Sequence, residues 1–150
     1  MEVRQIITGK KQFLDLLLLA DEQESMIDCY LEQGDMFVLF GGEEALAECV
    51  VTEEGERVYE LKNLAVSPHC QRKGYGRKMI DFICSHYQDR ADVLLVGTGE
   101  STATVSFYKR CGFRYSHRVP DFFTLNYDHP IWEDGKLLTD MVYFKKYLND

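Results

Sequence analysis

The chain opens on an alternating segment. "MEVRQII" switches between apolar and polar positions and predicts a strand. The period then lengthens. "KKQFLDLLLLAD" sets Phe13, Leu16, Leu17 and Ala20 three and four residues apart, the face of a helix. A second short helix follows with Met26, Ile27, Tyr30 and Leu31 inward, and Gly34 is placed to end it. "MFVLF" and "ALAECVV" flank Gly41-Gly42, a hairpin signature, and "VYELKNLAV" predicts the next strand. In "GRKMIDFICSHYQ" the residues Met79, Ile80, Ile83 and Tyr87 form one apolar helical face. "ADVLLVGT" is apolar without alternation, as a strand buried on both faces in a parallel pairing would be. "ATVSFYKRCGF" reads as a helix, with Gly112 where a C-terminal glycine belongs. Two further strands are expected in "FRYSHR" and "DMVYFKKYL", with "DFFTLNYDHPIWEDGK" as a loop between them. The result is mixed α and β with no linker, repeat or low-complexity segment.

Composition narrows the class. A chain of 150 residues fits one domain, spanning 1–150, and 45% apolar residues suffice for one core. A net charge of −8 argues against general binding of nucleic acid or anionic membranes. It mildly favours a neutral or cationic substrate. "FLDLLLLA" is too short to span a bilayer and is interrupted by Asp15; "MEVRQIITGKKQF" lacks the apolar stretch of a signal peptide. The five cysteines are odd in number, without CxxC or short His/Cys spacing, so no metal site is expected. Reduced thiols and a cytoplasmic location are the expectation, with Cys70 in the glycine loop the more exposed.

Positive charge is concentrated in one place. In "LKNLAVSPHCQRKGYGRKMIDFI" a strand runs into a loop that opens a helix near Gly74. A helix start carries unpaired N–H groups and the positive end of the dipole. Gly74 and Gly76 let an anion approach the backbone, and Gln71, Arg72, Lys73 and Arg77 add donors and charge. That is an anion site suited to a pyrophosphate; the plainer reading is a helix start with solvated basic residues. No Lys-Ser/Thr follows the glycines, so it is not a P-loop, and the third glycine of a dinucleotide fingerprint is missing.

Gln71-Arg72-Lys73-Gly74-Tyr75-Gly76 resembles the Q/R-x-x-G-x-G/A motif of the GCN5-related N-acetyltransferases, the GNAT superfamily. "LKNLAVSPHCQ" resembles that family's central strand and its exit, "VLLVGTG" the strand after the cofactor helix, and "SFYKRCGF" its Tyr-x-x-x-Gly-Phe ending. The matching block covers 58–115, and the tail is similar to small, poorly characterised bacterial GNAT enzymes. The resemblance implies an α/β (α+β) fold, in which a central mixed, mostly antiparallel sheet is flanked by helices and splayed at the acetyl-CoA site. It implies acetyl-CoA as co-substrate, with the loop from Gln71 to Arg77 cradling its pyrophosphate. Many members carry Asn about seven residues before the tyrosine; here Ser101 stands there, and its hydroxyl is the expected substitute.

The implied chemistry is direct attack of a primary amine on the thioester within one ternary complex. A backbone N–H in the stretch Leu64, Ala65 and Val66 would stabilise the oxyanion. Tyr108 matches the family's tyrosine that protonates the leaving sulfur; the alternative is a core aromatic packed beside Val105. Glu60 lies where several members carry a glutamate base working through water; the alternative is a paired or solvent-facing carboxylate. His69 and His129 are the other base candidates. Phe122, Phe123, Tyr127 and Trp132 offer apolar walls for an acceptor, and Asp121, Asp128, Glu133 and Asp134 offer charge for a cation. The same aromatics could instead anchor a long loop or a subunit interface, a homodimer being usual for the family. A small-molecule amine is the expected acceptor. Acetylation of a protein amine and a non-catalytic acyl-CoA sensor are the alternatives.

Overall fold

The computed structural model describes residues 1–149. Strand β1 (Glu2–Ile6) lies at one edge of a sheet, antiparallel to β2 (Asp35–Gly41), which pairs with β3 (Glu44–Gly55) and then β4 (Val58–Val66), all antiparallel. Strand β5 (Val93–Thr98) adds parallel to β4, as its unbroken apolar run predicts. Strand β9 (Met141–Tyr147) comes next, antiparallel, and β6 (Arg114–Val119) closes the far edge. The order is thus β1-β2-β3-β4-β5-β9-β6. A parallel pair cannot be joined by a tight turn. Helix α3 (Tyr75–Tyr87) makes the crossover, burying Met79, Ile80, Ile83 and Tyr87 as the periodicity predicts.

Two cores sandwich the sheet. On one face α3 and α4 (Thr102–Arg110) cover Phe37, Leu39, Cys49, Val51 and Leu61. On the other, α1 (Leu14–Ala20) and the short α2 (Glu24–Ile27) cover Met36, Val38 and Val50. Successive residues of β2 therefore feed opposite cores, which is why "MFVLF" has no polar alternation. The helical face expected from Phe13, Leu16, Leu17 and Ala20 is corrected. Leu17 is fully buried with Phe13, Leu14 and Leu18 against its core, whereas Ala20 is exposed. The first turn, Lys10–Phe13, is 3-10, and its tighter winding shifts the phase of α1 behind it.

The segment expected as a loop after β6 is also structured. It holds α5 (Phe122–Asn126) and a hairpin of β7 (Trp132–Glu133) and β8 (Lys136–Leu137). Phe123, Ile131 and Leu138 form a third small core beneath it. Among the described residues no helix is long and apolar enough to cross a membrane.

Candidate active site

The site begins with a break in the sheet. Pairing of β4 with β5 runs from Val58↔Val93 to Leu61↔Val96 and stops. Beyond that point β4 stays bonded to β3 as far as Ala47↔Val66, and β5 stays bonded to β9 as far as Thr98↔Val142. The two strands part, so backbone polar groups of β4 past Leu61 that face β5 lack a sheet partner. Buried groups of this kind call for one. The register explains the parting. Val50 faces Asn63 but Val51 faces Leu61, leaving Lys62 as an extra, bulged residue. The bulge lies just upstream of Leu64, Ala65 and Val66, the stretch expected to supply the oxyanion amide.

A cavity of about 680 Å³ lies on the α3/α4 side of this gap. Leu64, Val66, Gln71, Arg72, Gly74, Tyr75, Gly76 and Arg77 line it, together with Phe107 and Tyr108 from α4. Its mouth is the start of α3, where the first hydrogen bond within the turn runs from Lys78 N–H to the Gly74 carbonyl at 3.0 Å. The preceding N–H groups of Tyr75, Gly76 and Arg77 have no intrahelical acceptor. Gly74 sits at φ 82° as the N-terminal cap, a conformation that L side chains rarely adopt. A Cβ on Gly76 would come within 3.1 Å of Phe107 Cζ, so this glycine serves close packing of α3 on α4. Arg77 donates to the Arg110 carbonyl at 3.0 Å, and Gln71 donates to the Val66 carbonyl at 3.3 Å. Among the described residues no carboxylate lines this cavity. Its end is an electropositive, amide-rich seat for an anion.

A second cavity, about 380 Å³, opens on the α1 side. Its lining combines the apolar and aromatic side chains of Leu19, Phe123, Tyr127, Ile131, Trp132 and Leu138 with a predominantly polar exposed surface, and its charges are Asp21, Glu22, Glu133 and Lys62. Asp21 accepts from Tyr30 Oη at 2.9 Å and from Tyr127 Oη at 2.7 Å. Leu64, Thr104 and Tyr108 line both cavities, so the two meet through the gap in the sheet. Tyr108 is 8% exposed and stacks edge-on against Phe107 and Phe113. Burial pushes its hydroxyl pKa up, which keeps the proton on the oxygen.

Glu60 is 6% exposed and lines a third cavity of about 660 Å³, which adjoins the second and shares Asp21 and Tyr127 with it. Lys62 pairs with its carboxylate at 3.2 Å, and Tyr143 Oη donates to it at 3.4 Å. Burial raises its pKa, against the pull of Lys62.

The structure brings most of the expected residues together. Two stand apart. Ser101 is buried and donates to Asp134 of the β7–β8 turn, outside both cavities, and Lys73 is exposed and outside the cavity lining. Ala65 faces away from the α3 side, leaving only its backbone near the gap. His69 is held by Ser67 and Glu44, and His129 by Asp128 and Glu22; neither lines any of these three cavities. Phe122 lines the cavity of Glu60, not that of Tyr108. Sequence reasoning missed Asp21, Glu22, Thr104, Phe107 and Arg110. Thr104 lies one turn before Tyr108 on α4, a spacing that could have pointed to it. Asp21 follows α1 and carried no sequence signal. Among the described residues no group of three His, Cys, Asp or Glu is placed to hold a metal ion.

A strand order with one parallel pair, a splay after Leu61, and an amide-rich loop opening the crossover helix define an acyltransferase class of fold. The family model described as the acetyltransferase (GNAT) domain matches residues 32–115. The chain is 36% identical over 133 residues to the uncharacterized N-acetyltransferase YvbK of Bacillus subtilis (strain 168), covering 87% of this chain and 86% of that one. A GNAT family acetyltransferase from Elizabethkingia anophelis, solved with acetyl-CoA bound, superposes with a TM-score of 0.93 at 30% identity over 97% of each chain. A Bacillus subtilis acetyltransferase in complex with CoA gives 0.88 at 32% identity, again over 97% of each. The chain belongs to the GNAT acetyltransferase family.

Proposed function

We propose that the chain transfers the acetyl group of acetyl-CoA to the primary amine of a small molecule, by direct attack in a ternary complex. The observation that carries this reading is the meeting of two unlike cavities at Tyr108. The electropositive cavity by α3 suits the pyrophosphate, with Tyr75, Gly76 and Arg77 amides as donors and Arg72 and Arg77 as charges. The pantetheine arm would pair with the backbone of β4 freed past Leu61 and carry the thioester to the gap. The acceptor would enter from the Asp21 side. Its volume is at the small end of ligand sites, and its aromatic side chains together with the carboxylates of Asp21, Glu22 and Glu133 fit a small amine. Asp21 receives two tyrosine donors and keeps further lone pairs for an ammonium group.

The chemistry runs in three moves. The deprotonated amine nitrogen bonds to the carbonyl carbon. A β4 amide near Leu64 receives the developing oxyanion. As the C–S bond breaks, Tyr108 passes its proton to the sulfur. The amine's own proton leaves through Glu60 or through solvent. Free thiol release with a panel of small amines tests the reading. Thiol should appear only when an accepted amine is present. Asp21→Asn should raise KM for that amine about tenfold, the size expected for a charged hydrogen bond, and leave CoA affinity unchanged. Binding of acetyl-CoA with no accepted amine would favour a sensor instead.

Glu60 gives a separate expectation. With its pKa raised by burial, it holds a proton to higher pH than an ordinary glutamate and ionises above that point. A base works only when ionised, so the parent rate should climb through that raised pKa. Glu60→Gln should keep CoA binding, lower turnover, and recover partly at alkaline pH. Parent rates across the whole pH range in the variant exclude the base role.

A further inference from the structure

Glu48 lies in the middle of β3, has no exposed surface, and neither of its carboxylate oxygens has a hydrogen-bond partner. Among the described residues one other buried side-chain atom shares that condition, Asn63 Oδ1 on β4. The register makes the two residues diagonal neighbours. Val50 faces Asn63, and Glu48 faces Ala65 two positions further along. Val50 packs in the core under α1 and α2, and Asn63 reaches Leu17 and Tyr30 of that same layer. Glu48 shares the parity of Val50 on β3 and so points to the same side. Diagonal pairs of this kind are within reach of long side chains.

Three buried acceptor atoms cannot satisfy one another, and the Ala65 N–H, the one donor that acts on the Glu48 carboxylate, stands outside hydrogen-bond geometry, so each costs free energy while unpaired. One proton resolves the problem by turning an acceptor into a donor. We infer that Glu48 is a neutral, proton-bearing positioning residue whose O–H serves Asn63 Oδ1 and thereby sets the direction of a hydrogen-bond chain ending at Asp21.

The chain is directional. Asn63 Nδ2 donates to the Leu17 carbonyl at 3.1 Å and to Tyr30 Oη at 3.0 Å. A carbonyl can only accept, so this amide orientation turns Oδ1 the other way, where a donor is needed to hold it. Because Tyr30 Oη accepts from Asn63, its own proton goes to Asp21 Oδ2 at 2.9 Å. Were Asn63 to turn over, Tyr30 would donate to it, and Asp21 would lose one of its two tyrosine donors. Burial also pushes the Glu48 carboxyl well above the usual range, outweighing the Ala65 amide. The titratable groups that feel its charge are Tyr30 from the α2 segment, Cys49 on β3 and Tyr108 on α4; none is a cation.

The effect on catalysis rests on the reading that the Asp21 cavity takes the acceptor amine, so the experiment has arms that need no amine. Glu48→Gln keeps the shape and supplies an amide donor to Asn63; Glu48→Met keeps the length and supplies none. In the infrared, the parent-minus-Gln difference spectrum at neutral pH should contain a protonated-carboxyl band. The melting temperatures of parent and Glu48→Gln should converge in acid, below the ordinary carboxylate range, where both folded and unfolded parent hold the proton. As pH rises, the unfolded parent releases its proton and the folded one does not. Parent stability therefore falls relative to Glu48→Gln. Kinetically, Glu48→Gln should stay within about twofold of the parent, and Glu48→Met should raise the amine KM about tenfold with CoA affinity intact. An absent band, or a roughly 100-fold loss of turnover in Glu48→Gln, overturns the proposal, because either result requires an ionised Glu48. Equal kinetics for the Gln and Met variants also overturns it, provided Asp21→Asn raises the amine KM. If Asp21→Asn leaves KM unchanged, the acceptor-site reading is what fails. Should Glu48→Met not fold, the infrared and melting comparisons decide.

Discussion

Tyr108→Phe should lower the turnover number by roughly 100-fold or more, the usual cost of losing a general acid. The ring stays, so the edge-on contacts with Phe107 and Phe113 stay, and the melting temperature should hardly move. Only the hydroxyl is lost, at the one aromatic side chain of α4 that reaches both cavities. Its raised pKa means that the parent hydroxyl carries its proton throughout the working pH range and can give it to a departing thiolate. The loss should appear equally in kcat and in kcat/KM, because the proton transfer develops in the transition state. CoA affinity should be nearly unchanged, the thiol end being a small part of a large ligand. Single-turnover assays with an accepted amine and titration calorimetry with CoA make the comparison. Parent turnover in the variant reduces Tyr108 to a core aromatic.

Gly74→Asp should weaken CoA binding by roughly 100-fold, about 2.7 kcal/mol. The position is the N-terminal cap of α3, at φ 82°, with open space where a Cβ would stand. The substituted chain should therefore fold, at some cost for a side chain in the left-handed region, which Asp tolerates better than most. Its carboxylate would then sit among the free amides of Tyr75, Gly76 and Arg77 and satisfy them as a capping anion does. An anion already in place excludes the pyrophosphate by space and by charge. Gly74→Ala, which adds strain without charge, should lose far less. Calorimetry measures the affinity, and the CoA-induced rise in melting temperature provides a second readout, since a ligand of the folded state alone stabilises by mass action. CoA affinity equal to the parent in folded Gly74→Asp defeats the pyrophosphate assignment.

The sequence by itself determined what depends on local period and local chemistry. The face of α3 is an intrahelical repeat, so Met79, Ile80, Ile83 and Tyr87 could be named from spacing alone. The apolar run of β5 marked a buried strand of the kind found in parallel pairs, and the structure pairs it parallel to β4. The anion loop was legible because glycines, basic residues and a helix start are contiguous, and Tyr108 because its motif is short. Tertiary structure was required for everything made by residues far apart in the chain. The splay after Leu61 comes from a one-residue bulge opposite β3, and no single strand records its partner's register. Ser101 stands at the expected place in the sequence, yet its hydroxyl is taken by Asp134, brought there by a hairpin in a segment that reads as loop. Asp21 follows a short helix and has no motif. It belongs to the site because Tyr127, 106 residues away, folds over it. Glu48 is a single carboxylate among apolar neighbours in "ALAECVV", and nothing local gives it a role. Its burial is set by the layer of α1 and α2 laid across β3, and its proton by an asparagine on the neighbouring strand. Chain-local physics thus specified the elements and the anion seat, while the acceptor side was decided by contacts that exist only once the layers close.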